Sequence, residues 1–132
     1  MNELMAAITT KFKTTNDLNT ALSGRMYPHE ARQGVSFPYG VYYVVSSFTD
    51  YTFSDEQEDV SIQFSLFSED DSVGPIGILY NKLTALFDDQ RLTVSGYTVL
   101  QFKRTSSRLI RDEEMATWHY VVEYDVVLEK SR

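Results

Sequence analysis

Apolar and polar positions along this chain change period several times, and each change marks an element. Near the start, Leu4, Met5, Ile8 and Phe12 recur at helical spacing. Asn2 is placed to cap that helix, and Glu3 suits the positive end of its dipole. The pattern breaks over Lys13 to Thr15. Thr14-Thr15-Asn16-Asp17 then reads as a capping box opening a second short helix through Leu18, Ala21 and Leu22, and Gly24 supplies its stop. Residues 25–38 form a connection, with Arg25-Met26-Tyr27 a short extended piece before Pro28. Pro38 drives Phe37 into an extended conformation and starts a strand.

From Tyr39 to Phe53 the chain is rich in Tyr, Val and Phe, which suits a long strand. Ser54-Asp55-Glu56-Gln57-Glu58 is a polar turn. Val60, Ile62, Phe64 and Leu66 then alternate with Ser61, Gln63 and Ser65, as in a strand with one buried face. The two runs predict a hairpin over 39–67. After Gly74-Pro75, the residues Ile76, Leu79, Tyr80, Leu83, Leu86 and Phe87 predict a helix over 75–89. Residues 91–104 read as a strand with a weaker pattern around Gly96. Trp118, Tyr120, Val122, Tyr124, Val126 and Leu128 alternate cleanly with His119, Glu123, Asp125 and Glu129 opposite. These predict a second hairpin over 91–130, with a long charged loop at 105–116 where function or mobility is expected. The whole reads as one α+β domain over 1–132, opening with a helical region at 1–24. It has about four strands in an antiparallel or mixed sheet, helices mainly on one face, and the order α-β-β-α-β-β.

With 132 residues, the chain is long enough for one unstapled core. It has no Cys, which removes disulfides and thiolate chemistry. No run approaches 18 apolar residues, so no membrane span is predicted, and the start lacks the pattern of a signal peptide. Twelve basic against nineteen acidic residues give a net charge of −7, which disfavours a general nucleic-acid binder.

Candidate chemistry is sparse. His29 and His119 are the two imidazoles. His119 and Glu123 share the polar face of a strand and could together approach a metal, but a solvated strand face accounts for them. No Ser sits in a nucleophile elbow, and Gly74 and Gly77 are too few for a phosphate loop. No catalytic residue, metal or cofactor is predicted. Tyr39, Tyr42, Tyr43, Phe48, Tyr51 and Phe53 crowd one strand without interleaved Lys or Arg, so core and protein interface explain them better than base stacking.

Charge is distributed unevenly. Between Gln33 and Asn81 there is no Lys or Arg, yet eight acids lie there, among them Asp50, Asp55, Glu56, Glu58 and Asp59. Lys103, Arg104, Arg108 and Arg111 follow with no acid between them. Opposite patches on different parts of one surface suit a head-to-tail contact between copies, so Lys103, Arg104, Arg108 and Arg111, with Asp55, Glu56, Glu58 and Asp59, are the candidate subunit interface. A patchy monomer surface would show the same pattern.

Several pieces in order resemble the tail-completion or tail-terminator proteins of long-tailed phages and prophages. They are Leu22-Ser23-Gly24-Arg25-Met26-Tyr27-Pro28, Phe37-Pro38-Tyr39-Gly40-Val41-Tyr42 and Ile78-Leu79-Tyr80-Asn81-Lys82-Leu83. Arg108-Leu109-Ile110-Arg111-Asp112-Glu113 and Trp118-His119-Tyr120-Val121-Val122 complete the set, with the Trp118-His119 pair departing from the family's pattern. The resemblance implies a non-enzymatic assembly protein of the virion, made in the host cytoplasm and placed at the tail–head junction. It implies a ring, commonly a hexamer, that ends tube growth and joins the tail to the head. The implied partners are itself, the major tail tube protein and a head-completion or connector protein, with no sequence-specific nucleic acid. Another head–tail connector, a minor tail component, or a small cytoplasmic protein- or ligand-binding module are the alternatives.

Overall fold

The computed structural model describes residues 2–14, 16–51, 56–88 and 92–130. Two helices open the chain: α1 over Asn2–Lys13 and α2 over Asp17–Leu22. The cap of α2 is Asn16, within the expected capping box. Its backbone is extended, and its Oδ1 accepts from the Asn19 amide at 2.8 Å. Ser23 and Gly24, both at positive φ, end the helix, and their amides close back on Thr20 and Asn19.

The strands are β1 (Met26–Pro28), β2 (Tyr39–Tyr51), β3 (Glu56–Ser68), β4 (Tyr97–Asp112) and β5 (Thr117–Lys130), with α3 (Gly74–Phe87) between β3 and β4. They form one five-stranded mixed sheet in the order β1-β2-β3-β5-β4. The fifth strand corrects the four-stranded expectation. The extended piece at 26–28 pairs in parallel with Gly40–Tyr42 and so joins the sheet. The order is therefore α-α-β-β-β-α-β-β.

The second correction concerns 105–116. Residues 105–112 continue β4, and only 113–116 turn, with Ala116 at φ 53°. Conversely, 92–96 are not strand. The chain turns there with Gly96 at φ 81°, and the Tyr97 amide donates to the Val94 carbonyl at 3.1 Å. The expected strand and helix limits at Phe53, Asp89 and Arg91 lie outside the described residues, as does Asp55.

One face of the sheet carries the helices. Val60, Ile62, Phe64 and Leu66 of β3 are fully buried there, with Val122, Tyr124, Val126 and Leu128 of β5. They join Leu4, Ile8, Leu18 and Leu22 of the first two helices and Ile76, Leu83 and Phe87 of α3 in one cluster. Each such side chain contributes about 1.5–3 kcal/mol by leaving water. Phe64 is central: its ring lies 4.8 Å from Phe87 and meets Tyr124 edge-on at 5.6 Å.

Candidate functional site

The basic run lies on β4, the edge strand of the sheet, where its four members have different surroundings. Arg104 points to the helix side. Its Nη2 lies 3.2 Å from Asp88 Oδ2, its Nη1 donates to the Tyr80 hydroxyl, and its guanidinium sits over the Tyr80 ring. The Tyr124 hydroxyl donates to the other oxygen of Asp88 at 2.5 Å. Burial, then that bond to the Asp88 carboxylate, hold the Tyr124 phenol far above its usual range. Tyr80 also stacks on Tyr120 at 4.2 Å and pairs with the Ser107 hydroxyl at 2.9 Å. This bracket ties α3 to β4 and β5.

Arg111 lies over the Trp118 ring at 4.9 Å, with Glu113 at 3.8 Å from its Nε. Lys103 and Arg108 are exposed. Both belong to the face without helices, where Lys103 pairs in register with Asp125 and Arg108 with Val121. The four residues expected to act as one patch thus divide into two held within the chain and two offered to solvent.

Of the expected acidic partners, Asp55 and the Glu56 side chain lie outside the described residues. Asp59 is exposed and shares a hydrogen bond with Asp125. That bond, then burial and the Asp59 charge, push the Asp125 carboxyl up to about 6. Glu58 is part-buried. The Tyr51↔Glu56 end of β2 and β3 and the 113–116 turn lie at opposite ends of the sheet, because β3 and β5 pair from Gln57↔Glu129 to Ser68↔Trp118.

The helix-free face holds a feature the alternation did not reveal. Phe37, Tyr39, Phe67 and His119 form a row of rings across β2, β3 and β5, with successive centroids 5.1, 4.7 and 4.3 Å apart. His119 is therefore not on a solvated strand face. It is half-buried against Phe67, and its Nε2 has no hydrogen-bond partner among the described residues. Burial, then the Arg108 charge, hold its pKa below the ordinary value. Residues of the 29–37 loop and this row together line an open pocket of about 530 Å³. The available signal was the aromatic residue on the polar face of each neighbouring strand at one level.

Among the described residues, no group of three or more His, Cys, Asp or Glu could hold a metal, and no helix is long and apolar enough to cross a membrane. What the surface presents is a polarised sheet with two unlike edges.

No curated protein matches the chain. Among solved structures, a chain from the virion of a native gene transfer agent (GTA) particle superposes with a TM-score of 0.80 at 9% identity, covering 96% of this chain and 94% of that one. That likeness shows the fold. A family model, described as tail completion protein gp17, matches residues 6–129. From α1 to the end of β5, the chain therefore belongs to the tail completion protein gp17 family, a family of phage tail structural proteins.

Proposed function

We propose that the protein is a tail terminator, forming a ring on the end of the finished tail tube that stops tube growth and offers a surface for joining the head. Family membership across 6–129 carries this reading. The polarised surface supports it: a ring needs two different, complementary patches on one subunit. Exposed Lys103 and Arg108 supply one sign, and the acid-rich 50–59 segment supplies the other. The partners of such a ring are further copies of this chain, the major tail tube protein and a head-completion or connector protein. Its place is the tail–head junction of the virion. DNA passes through the lumen during ejection, and the net charge of −7 suits a lining that does not retain phosphate.

Mass measurement and negative-stain imaging of the purified protein, alone and with tail tubes, test the reading. Rings that cap tubes and halt their extension are expected. Rings that bind only the head side would instead favour another head–tail connector. The open pocket lined by the 29–37 loop favours a second reading, a small ligand-binding module, for which a persistent monomer that leaves tubes uncapped would speak.

A further inference from the structure

We infer that successive copies in the ring join edge to edge by main-chain pairing, the first half of β4 of one copy lying antiparallel to the second half of β2 of the next. This rests on the ring reading above and specifies its contact.

Both edges are open. Among the described residues, β4 pairs with β5 on one side and, from Thr98 on, has no strand on the other. Strand β1 covers β2 only at Gly40–Tyr42, so from Tyr43 to Tyr51 β2 pairs with β3 alone. Unpaired strand edges of this length invite another strand. Three of the large apolar side chains that are exposed lie on these strands: Val45 at 50%, Leu100 at 45% and Leu109 at 39%.

The edges also match in direction and level. Antiparallel pairings link β2 to β3, β3 to β5 and β5 to β4, so β2 and β4 run in opposite directions. Rotation about an axis along the strands keeps those directions. It brings β4 of one copy against β2 of the next in antiparallel sense, a heterologous contact that can close. One row of the sheet runs Ser46–Ser61–Asp125–Lys103, so its two ends lie at one level on the two open edges. The row Tyr43–Gln63–Glu123–Ser106 does the same. The β2 bulge between Val44 and Ser46 stands level with the β4 bulge between Arg104 and Ser106, so both edges bend at one height. Lys103 on β4 then faces a neighbour whose β2 leads into Asp50, Asp55, Glu56, Glu58 and Asp59, while Arg108, level with Val41, stands toward the end of that edge that β1 covers.

The chain has no cysteine, so introduced pairs report cleanly. Ser46→Cys is combined in turn with Gln101→Cys, Lys103→Cys and Ser106→Cys in the full chain, covering neighbouring registers. A disulfide forms only where Cα atoms come within about 7 Å. On oxidation of the assembled ring, at least one pair is expected to give a reducible ladder of covalent oligomers up to the ring's mass, with the single variants giving none. Hydrogen exchange of the unmodified protein is the second measurement. Amides of 44–51 and 98–106 are expected to gain protection in the ring over the salt-dissociated monomer. Rings of full mass with no ladder from any pair and no added protection would overturn the edge contact and leave the ring reading standing. A chain that stays monomeric even on tail tubes would overturn both.

Discussion

Gly40 shows how one missing methyl group sets the sheet's fifth strand. A Cβ there would stand 2.6 Å from Met26 Sδ and 3.3 Å from Leu66 Cδ2. Met26 is the residue opposite in register, and the Gly40 amide donates to the Arg25 carbonyl at 2.8 Å. Gly40→Ala is therefore expected to cost about 1 kcal/mol, the low end of overpacking because the thioether can swing aside. Denaturant midpoints of Gly40→Ala in the native and Met26→Ala backgrounds check this, with the cost expected to shrink in the second. Asp125 makes a residue-level prediction with a sign. Its carboxyl sits at about 6 against an ordinary 3.8, so the folded state holds this proton more tightly than the unfolded chain. The associated stability is present below about pH 4 and falls as pH rises through 6. His119 has the opposite sense: its lowered pKa makes stability rise with pH toward the ordinary value of 6.5. Thermal melts of wild type and Asp125→Asn between pH 4 and 7 separate the two, since the variant should lose only the falling component.

At the scale of elements, the sequence was legible where one face of a segment is buried along its length. β3 and β5 alternate without interruption, and α3 keeps its helical period from Ile76 to Phe87; β5 and α3 appear in place, while β3 begins at Glu56, so residues 56–58 of the expected polar turn are strand, held by pairing with β2 and β5. β4 was read short for a physical reason. Bulges between Val99 and Gln101 and between Arg104 and Ser106 shift its phase twice, so the period-two signal cancels. Beyond them, Thr105-Ser106-Ser107-Arg108 are exposed on an edge, and an edge strand outside the core has no apolar face to announce it. β1 is three residues long and pairs in parallel through a close glycine contact, which local pattern cannot convey. Of the site, the acidic–basic segregation was legible. The split of Arg104 and Arg111 from Lys103 and Arg108 was not, because it depends on which face each occupies after the bulges. The one-sided core also yields a contrast between faces. Phe64→Ala is expected to cost about 3–5 kcal/mol, since its fully buried ring leaves a cavity between β3 and α3. Phe67→Ala, on the helix-free face, should cost about 1–2 kcal/mol, a half-buried ring's transfer from water. Equal losses in chemical denaturation would contradict a core confined to the helix side.

For the whole molecule, the division of the basic run separates folding from assembly. Arg104 and Arg111 are held inside the chain, by Asp88 and Tyr80 in one case and by Trp118 in the other. Reversing Arg104 to Glu sets a carboxylate beside Asp88 and removes the bracket between α3 and β4, so the variant should lose stability as a monomer. Lys103 and Arg108 are exposed, the first opposite Asp125 and the second near His119, and reversing both to Glu leaves every described core contact intact. The effect of Lys103 is expected where copies meet near the acid-rich 50–59 segment of a neighbour, and that of Arg108 nearer the other end of the same edge. Exposed charges interact over about 10 Å at 0.1 M salt and about 30 Å at 0.01 M. The Lys103→Glu, Arg108→Glu double variant should therefore lose less melting temperature than Arg104→Glu, the new carboxylate at 103 standing opposite Asp125, while forming rings more weakly, most clearly at low salt. Light scattering across a salt series reads this directly. Opposite-charge contacts weaken as salt rises, so wild-type rings should loosen with salt while the variant, now repelled, gains assembly. Two parallel salt curves would mean that the acidic and basic segments do not meet.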